Sequence, residues 1–299
     1  YMKICIHIIS SRVNCLKLSL QSFYKYFNNK YKLPVYIYHF DDIYSKNYID
    51  DINNTIDKNI KFIQIDYGLP KNLNYNDIYF IKKGVPNRLG YHHMCHFWSN
   101  YYHYPKTEYT DYDIAFNFDD DSLWTKEFDF SFFEKLIKSE SVLMCFNCYK
   151  YQKNHRSREV RTGLCDLVCN YCKKYNIVPK KKWLQELLNI KDKLQRDDFF
   201  QTHLICYDTN ITKLKIFDTK EHKNWMYDIN ESNGIYKYRW GDNEVLSLYH
   251  DIHYDTDVLL IDNIKTAAGL TTNYINPGGL RHITDYAPSI TFPMKIRKF

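Results

Sequence analysis

The stretch Tyr112–Trp124, YDIAFNFDDDSLW, constrains the fold of this chain more than any other. It opens as an apolar run through Ile114, Ala115, Phe116 and Phe118 and stops in three consecutive carboxylates, Asp119, Asp120 and Asp121. An apolar, aromatic run of this length reads as a buried strand. A strand that ends in carboxylates places them at the carboxyl edge of a sheet, where open α/β sheets bind their ligands. Asp119 and Asp121 are two positions apart, so both can reach one hard cation where the strand gives way to a turn. Mg2+ or Mn2+ takes such oxygen ligands and keeps waters and substrate phosphates in its other positions. An acidic triplet alone is as readily a solvated turn, so the flanking segments decide.

Residues 3–9 are β-branched and read as a first strand. Ser10 or Ser11 can cap a helix running to about residue 28, with Leu16, Leu18, Leu20, Phe23 and Phe27 on its apolar stripe. Pro34 opens a second strand, VYIYHF; residues 43–58 read as a polar helix and 60–66 as a third strand. This β-α-β-α-β order is the front half of a nucleotide-binding α/β sheet. Neither GxGxxG nor a Walker sequence is present, which excludes the usual dinucleotide and P-loop sites.

After a loop-like stretch over 71–86, a helix over about 89–102 leads into the acidic strand. His92 and His96 lie i,i+4 on that helix, but no Glu beside His92 completes HExxH, so a packed or solvent-facing pair is the better reading. Further helices are expected at 128–138, 158–175, 182–195 and 243–250, and strands at 141–149, within 203–217 and at 258–261. From residue 266 the chain holds Gly269, Pro277, Gly278, Gly279 and Pro288 and reads as an irregular surface segment. The expected architecture is one α/β domain over residues 1–265, a mixed central sheet flanked by helices. Residues 266–299 are expected to pack on the same domain.

At 299 residues and 44% hydrophobic, the chain can bury a sizeable core. The abundance of Asn, Lys, Ile and Tyr hints at an AT-rich genome, such as that of a giant DNA virus or a protist. The net charge of +6 is spread out, with Lys180–Lys182 the one basic run. That suits a polyanionic small ligand, and with no recognition motif present it argues against nucleic acid. Nine cysteines, an odd number in a chain of this size, do not make a disulfide scaffold. A zinc reading can be built from Cys145, Cys148, Cys165, Cys169 and Cys172. Strand spacing puts Cys145 and Cys148 on opposite faces, so buried thiols in a reducing compartment are preferred. No stretch approaches the ~18 apolar residues of a membrane span. Residues 4–9 are too short for a signal segment, and Met2 reads as the natural start. These features point to the cytoplasm or a viral factory, or to the Golgi lumen if the sequence is a truncated type II membrane protein.

Three motifs together resemble glycosyltransferase family 15, the fungal-type α-1,2-mannosyltransferases. Gly90–Ser99, GYHHMCHFWS, resembles that family's Gly-Tyr-Arg-His-Met-Cys-Arg-Phe-x-Ser helix. Tyr112-Asp113 running into Asp119–Asp121 stands where the family has Tyr-Asp and then Glu-Pro-Asp. Tyr238–Asp242, YRWGD, resembles its Tyr-Glu-Arg-Trp-Gly-Asp segment. Order and spacing match across most of residues 3–265.

The resemblance implies a GT-A fold, a GDP-mannose donor, Mn2+ (or Mg2+) and transfer with retention of anomeric configuration. Asp119 stands at the family's metal-binding Glu, and Asp121 at the Asp of the same motif. Two positions depart from the pattern. Leu246 stands where the family has a metal-ligating His, which leaves His250, one turn on, or Glu244 as replacements. Asn210 stands where the family has a proposed nucleophilic Glu, with Asp208 nearby as the alternative.

The expected site therefore has Asp119, Asp121 and His250 on the metal, and Arg88, Tyr91, Asp120 and Arg239 on the donor. Arginine suits the diphosphate because it donates in a planar fork. Arg239 can equally be a structural ion pair, and Tyr91 a buried aromatic. Asp242 is expected to bind the acceptor hydroxyl or act as the general base, or to N-cap the helix that follows. With no clear nucleophile, front-face substitution is the default, Asn210 or Asp208 stabilising the sugar from its other face. A UDP-sugar donor, a non-catalytic glycan-binding descendant of the fold and, more weakly, a metal-dependent phosphohydrolase are the alternatives. The expected acceptor is a glycan or glycoprotein.

Overall fold

Strand β1, Ile4–Ile9, is buried at every position, which fits a central strand covered on both faces. It pairs in parallel with β2, Val35–His39, and with β4, Ile114–Asn117, so that Ile6 faces Val35 on one side and Phe116 on the other. Strand β3, Lys61–Gln64, adds a half-exposed edge beyond β2. On the far side of β4 the sheet turns mixed. Strand β7, Ile205–Lys213, runs antiparallel to β4 and to β6, Leu143–Lys150, and β8, Leu259–Leu260, closes the row parallel to β6. The order of the seven strands is β3-β2-β1-β4-β7-β6-β8. Directly after the acidic turn, β5, Ser122–Leu123, pairs antiparallel with β9, Arg281–His282.

This computed structural model describes residues 2–40, 44–65, 68–84, 89–100, 111–124, 127–150, 159–260 and 281–282. The side chains of residues 14, 146–150, 206–209 and 281–282 lie outside the description. Arg88, the side chain of Asp208, residues 151–158 and nearly all of the segment from 266 are therefore outside it.

Helices cover both faces of the sheet. One face carries α1, Val13–Phe23, α2, Lys46–Thr55, and α4, Ser131–Lys138, over an aromatic cluster. Phe23, Phe27, Phe116, Phe118, Trp124 and Phe128 meet there, with the Phe27 and Phe128 rings stacked at 4.1 Å. Each such pair adds about 0.5–1.5 kcal/mol beyond the area it buries. The other face carries α3, Leu89–Asn100, and α5, Leu164–Lys174. Later in the chain, α8, Lys220–Ser232, α9, Gly234–Tyr238, and α10, Asp242–His253, complete that layer. Among the described residues no helix is long and apolar enough to cross a membrane.

Several expectations need correction. The first helix begins at Val13 behind Arg12, without a side-chain cap, because Ser10 is engaged elsewhere. The stretch 182–195 is two helices, α6, Lys182–Asn189, and α7, Lys193–His203. Asp192 divides them by accepting from the Gln195 amide at 2.8 Å, an N-cap inside what reads as one helical stripe. Helix α8 was not expected at all, yet its signals are in the sequence. Thr219 caps it by accepting from the His222 amide, His222, Trp225, Met226 and Ile229 are its buried stripe, and left-handed Asn233 ends it before Gly234. A Cβ at Gly234 would run into the Trp240 ring, so this turn accepts only glycine.

Candidate active site

Because β1 and β4 are parallel neighbours, their carboxyl ends emerge side by side. Ser10, Ser11 and Arg12 therefore face the acidic turn. Asp120 is 2% exposed and its Oδ2 accepts from the Ser10 hydroxyl at 2.7 Å, the Ser11 amide at 3.0 Å and the Arg12 amide at 2.9 Å. Its Oδ1 accepts from Arg12 Nε at 2.6 Å and from Nη2 of the same guanidinium. Arg12 Nη1 reaches on to Asp121 Oδ2 at 2.7 Å. One guanidinium thus holds two consecutive carboxylates, with backbone amides filling the remaining lone pairs. Burial by itself would lower the Arg12 pKa; the charges of Asp120 and Asp121 overcome it and raise the value.

The turn explains why the triplet divides. The Ser122 amide bonds back to the Asp119 carbonyl at 3.0 Å, which folds Asp121 under the chain towards Arg12. Asp119 stays on the other side and lines a cleft of about 190 Å³. Helix α3 forms one wall with Tyr91, Met94 and Trp98, and Asn117 and Asp119 form the sheet edge. Asn210 comes from β7, His222 and Trp225 from α8, and Asp242, Leu246 and Tyr249 from α10.

Two of the three sequence motifs meet at Asp242. It is the first residue of α10 rather than its cap; Gly241 holds the cap position without a side-chain bond. Cys95 of α3 lies beside the Asp242 carboxylate, with Tyr91 next to it. Burial, then the Asp119 charge, then Glu244 push the Asp242 carboxyl up to about 7. Two carboxylates from different elements therefore act on each other across one cleft. Asn210 is oriented there too: its Oδ1 accepts from Asn117 Nδ2 at 3.0 Å and from the Thr212 hydroxyl at 2.8 Å.

The other expected residues lie elsewhere. Asp120, expected on the donor, is sealed beneath Arg12. Asp121, expected on the metal, is in the same clamp. His250 is 1% exposed, bonds Asp251 at 3.1 Å, stacks on Tyr254 and does not line the cleft. Glu244 is buried and faces Arg161 Nε at 3.7 Å. Arg239 lies with its guanidinium 4.5 Å over the ring of cleft-lining Tyr91, a cation–π contact, and makes no ion pair among the described residues. His92 and His93 are packed, bonding the Ile235 carbonyl at 2.7 Å and the Tyr236 hydroxyl at 3.1 Å. Among the described residues no group of three or more His, Cys, Asp or Glu converges as a metal cage, which leaves the zinc reading without support.

Arg12, His222, Asn117, Trp98 and Tyr249 are among the site residues that sequence reasoning missed. Arg12 had a signal: in a parallel sheet the cation at the end of β1 must face the acids at the end of β4.

No protein-family model matches the chain, and no curated protein matches it in sequence. Solved structures do match. The mannosyltransferase Ktr4p from S. cerevisiae is similar at TM-score 0.70 and 17% identity, over 85% of this chain and 67% of that one. Core-mannan synthase A from Aspergillus fumigatus, in its Mn/GDP form, is similar at TM-score 0.68 and 12% identity, over 85% and 71%. The chain therefore has the mixed α/β fold of these GT-A type proteins.

Proposed function

We propose that this chain is a divalent-cation-dependent, retaining glycosyltransferase that moves a sugar, mannose from GDP-mannose first, to a glycan or glycoprotein hydroxyl. The observation that carries the reading is the convergence of Asp119, Asp242 and Asn210 on one cleft at the sheet edge. It is supported by a fold shared with mannosyltransferases, one solved with GDP and one in an Mn/GDP form.

Asp119 and Asp242 offer oxygen ligands only, which suits a cation shared with a diphosphate and does not suit a cage made wholly of protein. Such a cation, when bound at Asp119, neutralises charge on the departing diphosphate.

The chain's own groups supply the rest. Asn210, fixed by Asn117 and Thr212, presents a neutral dipole rather than a nucleophile to the sugar. This favours front-face substitution, in which the diphosphate oxygen takes the acceptor's proton as the glycosidic bond forms. Asp242, its carboxyl pushed up to about 7, accepts the acceptor hydroxyl's hydrogen bond in its ionised form and orients it. Tyr91, Trp98 and Tyr249 give the cleft the aromatic faces on which sugars and bases stack.

A hydrolysis panel over GDP- and UDP-sugars, with Mn2+ and with Mg2+, tests the reading. Release of GDP from GDP-mannose is expected, and the product anomer is expected to match the donor. No turnover with any donor contradicts the activity; an inverted anomer removes the front-face step. A glycan-binding descendant is the second reading, favoured by Leu246 and Asn210 standing at two of the family's functional positions. It predicts binding of oligosaccharide without any nucleotide.

A further inference from the structure

Leu246 lies one helical turn after Asp242, and both line the cleft. Among the described residues no group of three or more His, Cys, Asp or Glu converges as a metal cage, and the candidates to replace an imidazole there are engaged elsewhere. Asp121 is held by Arg12 at 2.7 Å. His250 is buried against Asp251 and Tyr254. Glu244 faces Arg161. His222, the imidazole that does line the cleft, is packed edge-on between Phe217 at 4.9 Å and Tyr249 at 4.8 Å. With no such cage among the described residues, what lies beside the apolar Leu246 for a cation is the carboxylate oxygen of Asp119 and Asp242.

We infer that the free protein does not hold its divalent cation, and that the cation enters only as a complex with the donor's diphosphate, in an all-oxygen site that accepts Mg2+ as readily as Mn2+. This rests on the transferase reading and goes beyond it: it sets the order of binding and the metal preference. The chemistry is general. Few protein ligands leave a hard cation dependent on substrate phosphates. An imidazole ligand strengthens binding along the first-row series and favours Mn2+ over Mg2+, whereas oxygen ligands alone discriminate weakly. Leu246 therefore removes both the resident metal and the preference for Mn2+.

The test follows Mn2+ by its electron-spin resonance and by water-proton relaxation in the full chain, with and without GDP, and in Leu246→His. Without nucleotide, wild type is expected to leave the Mn2+ signal as in buffer. With GDP it is expected to bind Mn2+ beyond what GDP binds alone, and Mg2+ at similar concentration is expected to displace it. Leu246→His is expected to bind Mn2+ without GDP, gaining at least the ~10–100-fold that even an outer-shell partner of a metal ligand contributes, and to resist displacement by Mg2+. The inference is overturned if wild type binds Mn2+ equally well without GDP, or if folded Leu246→His gains nothing. The wild-type comparison stands even if the variant does not fold. Calorimetry with GDP and UDP separates the two levels. Nucleotide binding unchanged by EDTA sinks the inference and leaves the transferase reading; no binding of either nucleotide under any condition sinks both.

Discussion

The acidic turn and the cleft beside it use the same side chain to opposite ends. Asp120 and Asp121 are buried, satisfied by one guanidinium and by backbone and hydroxyl donors, and serve to join the ends of β1 and β4. Asp119, their immediate neighbour, lies on the cleft side, where its charge acts on Asp242 across open space. The difference teaches that an acidic motif is defined by what faces each carboxylate. Arg12 takes Asp120 and Asp121, and the turn closed by Ser122 sets Asp119 on the cleft side.

The largest expected effect tests the cleft half. Asp119→Asn keeps shape and removes charge. It should lower kcat/KM for donor turnover by about 10²–10³, the scale of losing one transition-state electrostatic group, with little change in melting temperature. An unchanged rate would erase the distinction between the two halves.

The clamp half should respond the other way. Asp120→Asn leaves Arg12 partly buried beside a neutral amide. Breaking a buried pair costs about 3–5 kcal/mol, and the low end applies because 33% of the Arg12 side chain is exposed. A drop in melting temperature of about 6 °C or more should follow, while the molecules still folded keep their turnover. Loss of turnover without loss of stability would place Asp120 in the chemistry after all.

A third test concerns the cleft wall. Burial lowers His92 and His96 on α3 to about 4, and His93 on α3 and His7 on β1 to about 3. Their folded values lie below the 6.5 of an unfolded imidazole, so folding favours the neutral ring. The stability they contribute is fully present above pH 6.5 and is lost as pH falls towards 4, because the unfolded chain takes up protons that the folded one refuses. Each such histidine contributes a slope of up to about 1.4 kcal/mol per pH unit in that window. Denaturation midpoints measured from pH 7.5 to pH 5 should fall, and His93→Gln should flatten the slope by one proton. A midpoint constant across that range would mean that these rings are hydrated.

Much of this arrangement was legible before the structure. Strands β1, β2 and β4 announce themselves as apolar runs, and the end of β4 places the carboxylates at the ligand edge. Asp119, Asp242, Tyr91 and Asn210 were named and do line one cleft. The assignments of Asp121 and His250 did not hold together spatially, and the reason is physical. Spacing along the chain says which side chains share a region but not which partner takes each one. Asp121 was two residues from Asp119, yet a turn separated them. His250 was on the right helix but a turn too deep, beneath Tyr254. Helix α8 escaped notice because its buried stripe is dilute among Lys, Glu, Asn and Asp, and its clearest marks are the Thr219 cap and the Asn233-Gly234 stop.

The most direct test is a crystal of the chain grown with GDP and Mn2+, read at the manganese absorption edge. The account predicts one anomalous peak in the cleft, within coordination distance of an Asp119 oxygen and bridged to the diphosphate, with Asp121 still bound to Arg12. A peak held by Asp121 or His250, or a nucleotide bound away from Asp119, would contradict it.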